Sequence, residues 1–189
     1  MQKFNLHNLK SVVITLVVAT FFCCENNFED VKKVGVLQNQ PMTQADNVDL
    51  KYTEYNGTKV RLVANLISPS LLDYSNRSFS FSEFPKGIKL IVYSEEGEKT
   101  TIFADYAISF DKTDIIDLQG NVRIATQEKD TLFTEQLYYN KKLEWVFTNA
   151  PIIFKRGSGL LHGNGFDSDK NFENYQILEM VDSDFTFKN

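Results

Sequence analysis

The chain has 189 residues, 20 basic and 25 acidic side chains, a net charge of −5 and two cysteines. An acidic balance without basic clusters argues against nucleic acid and against broad adhesion to anionic membrane. Two adjacent cysteines exclude a disulfide framework, and any cysteine-ligated metal site, in the body of the protein.

Residues 1–23 read as a processing signal. Lys3 and Lys10 make the start positive, with no acid among them. The 12 residues Ser11–Phe22 are apolar apart from Ser and Thr. A spanning helix needs about 20 apolar residues, so this run suits the apolar core of a signal peptide better. It ends on Cys23 and Cys24, and the chain turns polar at once with Glu25, Asn26 and Asn27. Lipoprotein processing requires a cysteine at that junction: its thiol takes a diacylglyceryl group, and cleavage leaves it as the first residue. Cys24 is the expected acceptor, with Cys23 as the small residue before the cut; Cys23 is the alternative, and an uncleaved signal anchor the blander one. On this reading 189 less 23 leaves 166 residues, with 18 basic against 25 acidic side chains, a charge of −7. That is one domain's length, ample for a sizeable core.

Residues 24–47 read as a lipid-anchored tether that lets the domain stand off the membrane. From Glu25 onward they lack sustained periodicity, include Pro41, and allow a short ordered stretch around Val31–Leu37. The domain is expected over 48–189. Alternating runs such as Lys59–Ala64, Ile88–Tyr93 and Asn121–Ala125 fit a pleated surface. Turn signals separate them at Asn56-Gly57, Pro85-Lys86-Gly87, Glu95-Glu96-Gly97, Gln119-Gly120-Asn121 and Gly157-Ser158-Gly159. No segment offers a convincing amphipathic helix, so the fold class is all-β: a sandwich, barrel or roll. The runs also repeat. Thr101–Ala107, Thr131–Leu137 and a third copy near Leu160–Phe166 are each followed by a turn (Asp111, Asn140, Asp169), a period of about 29 or 30 residues. Such a repeat implies strand pairs stacked along an axis, each burying its face against its neighbours; ordinary meander periodicity is the blander reading.

Catalytic chemistry is nearly absent. His162 is the lone histidine beyond the signal, on a predicted strand, with no HExxH spacing, no GxSxG elbow and no phosphate loop. A strand histidine is usually structural. Glu95/Glu96 and Glu29/Asp30 read as solvated charge. Asp114 and Asp117, three apart in a strand-like segment, point to opposite faces and cannot act jointly. The expectation is no enzyme, no metal and no cofactor beyond the covalent diacylglyceryl anchor. Sixteen Phe, eight Tyr and one Trp remain. Most are core, yet a splayed roll of stacked strands offers an apolar interior suited to acyl chains, whose burial stabilises by roughly 25 cal/mol per Å².

Four segments come in order and at suitable spacing: Gly57–Ala64, Ile116–Ile124, Leu132–Glu135 and Gly159–Gly163. With the L-x-G-N-V strand at Leu118–Val122 and the L-x-T-E-x-L-x-Y run at Leu132–Tyr139, the chain resembles the LptC family over about residues 48–182. The resemblance implies an open, twisted antiparallel β-jelly roll with lipid A acyl chains inside. It implies a protein on the periplasmic face of the inner membrane that receives lipopolysaccharide from an ABC exporter. Its N-terminal edge meets the periplasmic β-domain of the exporter's transmembrane subunits, and its C-terminal edge a soluble LptA-like bridge protein. Better-known members carry a transmembrane helix, which a lipidated Cys24 replaces here. Alternation nominates Leu62, Leu90, Val92, Phe103, Leu118, Val122, Ile124, Phe133, Leu137, Phe147, Ile152, Phe154 and Leu161 as the inward, lipid-facing set. Gly159, Gly163 and Gly165 match a family glycine region, where a bulge or close strand approach comes first and ligand proximity second. A structural adaptor lipoprotein that recruits partners by edge pairing is the alternative, and a hydrolytic lipoprotein using His162 a remoter one.

Overall fold

The computed structural model describes residues 40–55 and 57–185, with side chains as far as residue 181. The signal, Cys23, Cys24 and the stretch around Val31–Leu37 lie outside the described residues. Eleven strands follow in order: β1 (Thr43–Tyr55), β2 (Val60–Asp73), β3 (Phe81–Phe84), β4 (Ile88–Tyr93), β5 (Lys99–Ala104), β6 (Tyr106–Phe110), β7 (Ile115–Ala125), β8 (Thr131–Asn140), β9 (Trp145–Arg156), β10 (Gly159–Asp169) and β11 (Tyr175–Phe185). All pair antiparallel in one sheet, a β-jelly roll without helices among the described residues. The first strand opens at Thr43, so residues 43–47, expected in the tether, belong to the sheet.

The topology is simpler than eleven elements suggest. β2 pairs with both β3 and β4, which are two halves of one strand broken at residues 85–87. β5 and β6 are likewise one strand broken at Asp105; β7 pairs with both. The described residues therefore form a meander of nine long strands, bent near their middles. The sheet folds along the line of bends into two facing halves. One holds β3, β6 and the adjoining ends of their neighbours, the other β4 and β5 with theirs.

The bends have local causes. Gly87 (φ +81°) and Gly120 (φ +73°) take left-handed backbone. Around them, Ser68 Oγ donates to the Gly87 carbonyl (2.8 Å), Asp105 N to the Gly120 carbonyl (3.0 Å) and Thr134 Oγ1 to the Pro151 carbonyl (2.9 Å). The corner satisfies groups that the interrupted ladder leaves open. The repeat seen in sequence corresponds to three successive bent hairpins, β5/β6–β7, β8–β9 and β10–β11.

Between the halves lies one apolar core, including Ile102, Leu118, Ile124, Leu132, Leu137, Val146, Phe154 and Phe166, each with no exposed surface. Burial of each such side chain contributes on the order of 1.5–3 kcal/mol. At its C-terminal end the core is aromatic: Phe154 lies 5.3 Å from Phe166, 5.2 Å from Phe172 and 5.0 Å from Tyr175.

Candidate functional site

β1 and β2 cover the N-terminal end of the interior, and there the packing loosens. Val48 closes the corner, but further along β1 Leu50 and Tyr52 stand over Ala64 and Leu66 of β2 without sealing against the opposite half. The result is a cavity of about 340 Å³. Its floor is apolar (Leu66, Leu71, Phe84, Leu90, Val92, Ile116) and its rim carries Asp111, Lys141 and Glu144. Tyr139 stands in the wall, and burial, reinforced by Glu144, raises its phenol well above the ordinary value. A half-buried phenol, Tyr106, donates to Glu83 (2.8 Å) on the outer face; partial desolvation and that carboxylate push it up to about 12. Neither phenol ionises at neutral pH. The cavity thus offers an uncharged apolar floor with charge only at its lip, which suits an acyl chain with a polar end left outside.

Nine of the residues nominated from alternation are core: Leu90, Val92, Leu118, Val122, Ile124, Leu137, Ile152, Phe154 and Leu161. Only Leu90 and Val92 border the cavity. Leu62 is half-buried beside the β1 bulge at Tyr52/Thr53, outside the core cluster. Phe103, Phe133 and Phe147 point the other way, because Ile102, Leu132 and Val146 take the inward positions beside them. The inward assignment of these three is corrected. Leu50, Leu66, Leu71, Phe84 and Ile116 line the cavity and were not nominated, although Leu66 directly continues the alternation that ends at Ala64, and Phe84 continues that of Ile88–Val92 across the Pro85 corner.

Phe103 and Phe133 belong to a row in register across the outer face: Lys89, Phe103, Arg123, Phe133, Ile153 and His162; Phe147 lies beyond the corner, stacked on Tyr138. A shallow groove of about 760 Å³ runs along it. Arg123 lies 4.6 Å and Lys89 5.7 Å from the Phe103 ring centroid, so cations cap its apolar surface and no enclosed path exists. His162 sits in this row, in register with Ile153 of β9 and Asp182 of β11. Asp114 lies in the β6–β7 turn with φ +56°, not on a strand, while Asp117 accepts from Gln119 and Gln136 on the outer face.

The glycine region is explained by close approach. A side chain at Gly163 would meet Ile177 and, at 2.6 Å, the Glu179 carbonyl; Gly165 (φ +74°) lies under Leu178. Both let β11 seat on β10 where the register shifts. Gly159 opens β10 opposite Arg156.

Among the described residues the sheet is a nine-stranded bent meander that ends on β1 and β11 and folds over an apolar interior. The family described as "Lipopolysaccharide-assembly, LptC-related" matches residues 12–185. The chain belongs to the LptC family. No curated protein matches it. Family membership gives this LptC protein a role in lipopolysaccharide transport; LptC proteins are periplasmic, associated with the inner membrane, and not known as enzymes.

Proposed function

We propose that this LptC protein is a membrane-anchored bridge. It receives lipopolysaccharide from the inner-membrane ABC exporter and hands it to the next β-jelly-roll protein through the apolar interior. The observation that supports this reading is the cavity under β1 and β2, whose floor residues Leu66, Phe84, Leu90, Val92 and Ile116 belong to the apolar core. The two sheet edges, β1 and β11, lie at opposite ends of the meander. Each offers a row of backbone groups to which another chain adds a strand, β1 towards the exporter's periplasmic β-domain and β11 towards a soluble LptA-like protein. Lipidated Cys24 holds the domain at the periplasmic face of the inner membrane. No cofactor beyond that covalent lipid takes part.

The close packing of β7–β10 favours a second reading, an adaptor that recruits partners by its edges and carries no lipid. Photocrosslinking separates the two. A benzophenone amino acid in place of Tyr52, over the cavity, is expected to capture lipopolysaccharide in exporting cells, while the same group at outward Phe133 captures none. Absence of adducts at Tyr52 during active export sinks the bridge and leaves the adaptor.

A further inference from the structure

At about 340 Å³ the cavity is small for a lipid with several acyl chains, since sites for drug-sized ligands already run to about 300–1,000 Å³. Passage requires the two halves to part beyond it. What joins them there is the turn from Lys170 to Asn174, between β10 and β11. Lys170 is buried; its Nζ pairs with Glu144 Oε1 (2.6 Å) and reaches the opposite half, donating to the Tyr93 carbonyl (3.2 Å). Thr100 Oγ1 of β5 donates to Asn171 Oδ1 (3.2 Å), and Arg156 donates to the Phe172 carbonyl (3.1 Å). A hairpin turn has no need to reach the facing sheet, and a buried lysine held by polar contacts alone is a costly way to fill a seam.

Phe172, at the turn's centre, has no exposed surface and stands edge-on to both Phe154 and Phe166. Its φ is +63°, a left-handed conformation that a bulky residue holds only under constraint from its surroundings. The Asp169 carboxylate accepts from the amides of Asn171, Glu173 and Asn174 (3.1, 3.0 and 2.8 Å), so the turn is braced as a unit. Across the seam the turn is held by three hydrogen bonds, which water can replace, and by the edge-on contact of Phe172 with Phe154.

We infer that Lys170–Asn174 is a strap that gates the C-terminal part of the interior, with Lys170 as its latch and Phe172 as its plug. Closed, it confines lipid to the cavity under β1 and β2. Released, it withdraws Phe172 from the ring cluster it makes with Phe154 and Phe166 and joins the cavity to the β11 end, where the lipid leaves. The gate rests on the bridge reading, and its test keeps the two apart.

The full-length protein is purified with a benzophenone amino acid replacing either Tyr52, over the cavity, or Tyr175, which meets Phe154 and Phe166 at the β11 end, and is illuminated with purified lipopolysaccharide. Lys170→Met removes the latch at nearly constant size. Thr100→Val removes the Asn171 bond without orphaning a buried group, and serves if Lys170→Met fails to fold. Either variant is expected to raise the Tyr175 adduct, by on the order of tenfold for Lys170→Met, and to leave the Tyr52 adduct unchanged. A Tyr175 adduct that stays constant while Tyr52 captures lipid overturns the gate alone, and so does an equal rise at both positions. No adduct at Tyr52 in any variant overturns the bridge reading, and the gate with it.

Discussion

Phe154→Ala is expected to lower the stability of the domain by about 4 kcal/mol, the upper part of the range for a large-to-small core change. The ring has no exposed surface and touches Phe166, Phe172 and Tyr175, so its removal leaves a cavity that three other aromatics must collapse around. Each lost ring pair adds to the transfer term by about 0.5–1.5 kcal/mol. In urea the midpoint falls with little change in slope, and the melting temperature drops by roughly 10 °C. Phe133→Ala, at a ring 40% exposed on the outer face, costs about 1 kcal/mol or less. Equal losses in the two variants would contradict the placement of the faces, because the two rings differ in little besides the side of the sheet they occupy.

Leu50→Glu acts on the lipid instead of the fold. Leu50 lies half-buried on β1, against the core and over the cavity, where water reaches it. A carboxylate there stays hydrated in the free protein, so the melting temperature moves by only a few degrees. An acyl chain entering the cavity must strip that hydration, at a cost of several kcal/mol unless a cation compensates. Lys141 at the rim offers partial compensation, and Asp111 and Glu144 offset it. The affinity of the purified protein for lipopolysaccharide is expected to fall by about a hundredfold, roughly 2.7 kcal/mol. Phe133→Glu, in the outer groove, leaves it unchanged. Comparable losses from the two would place the binding surface outside the roll.

The fold was largely legible because its signals are local. Alternation, Gly- and Asn-containing turns and a 30-residue repeat each depend on residues close in the chain, and each reappears as bent hairpins. The inward set was less legible, and the corners explain why. On β8 the bend at Glu135–Gln136 changes which parity faces the core: Leu132 and Thr134 point in before it, Leu137 and Tyr139 after it. A strand read as continuous through that point therefore turns Phe133 the wrong way. β9 does the reverse. It keeps its parity through Ala150–Pro151, so Val146 and Ile152 share a face and Phe147 is outside. A corner is set by pairing with strands distant in sequence, and such pairing leaves no periodic trace. The strap was not legible at all. Lys170, Asn171 and Phe172 resemble any polar turn, and only the return of the facing half to within hydrogen-bond distance reveals their role.

The central claim is that lipid enters the interior between the two halves and not the groove outside. A methyl-resolved NMR titration of the purified protein with lipopolysaccharide tests it most directly, since both surfaces carry aliphatic reporters. The account predicts that the methyl signals of Leu66, Leu90 and Val92 shift or broaden on addition, while those of Ile153 and Val181 on the outer face hold their positions. Shifts confined to Ile153 and Val181, with the interior methyls unmoved, would contradict it.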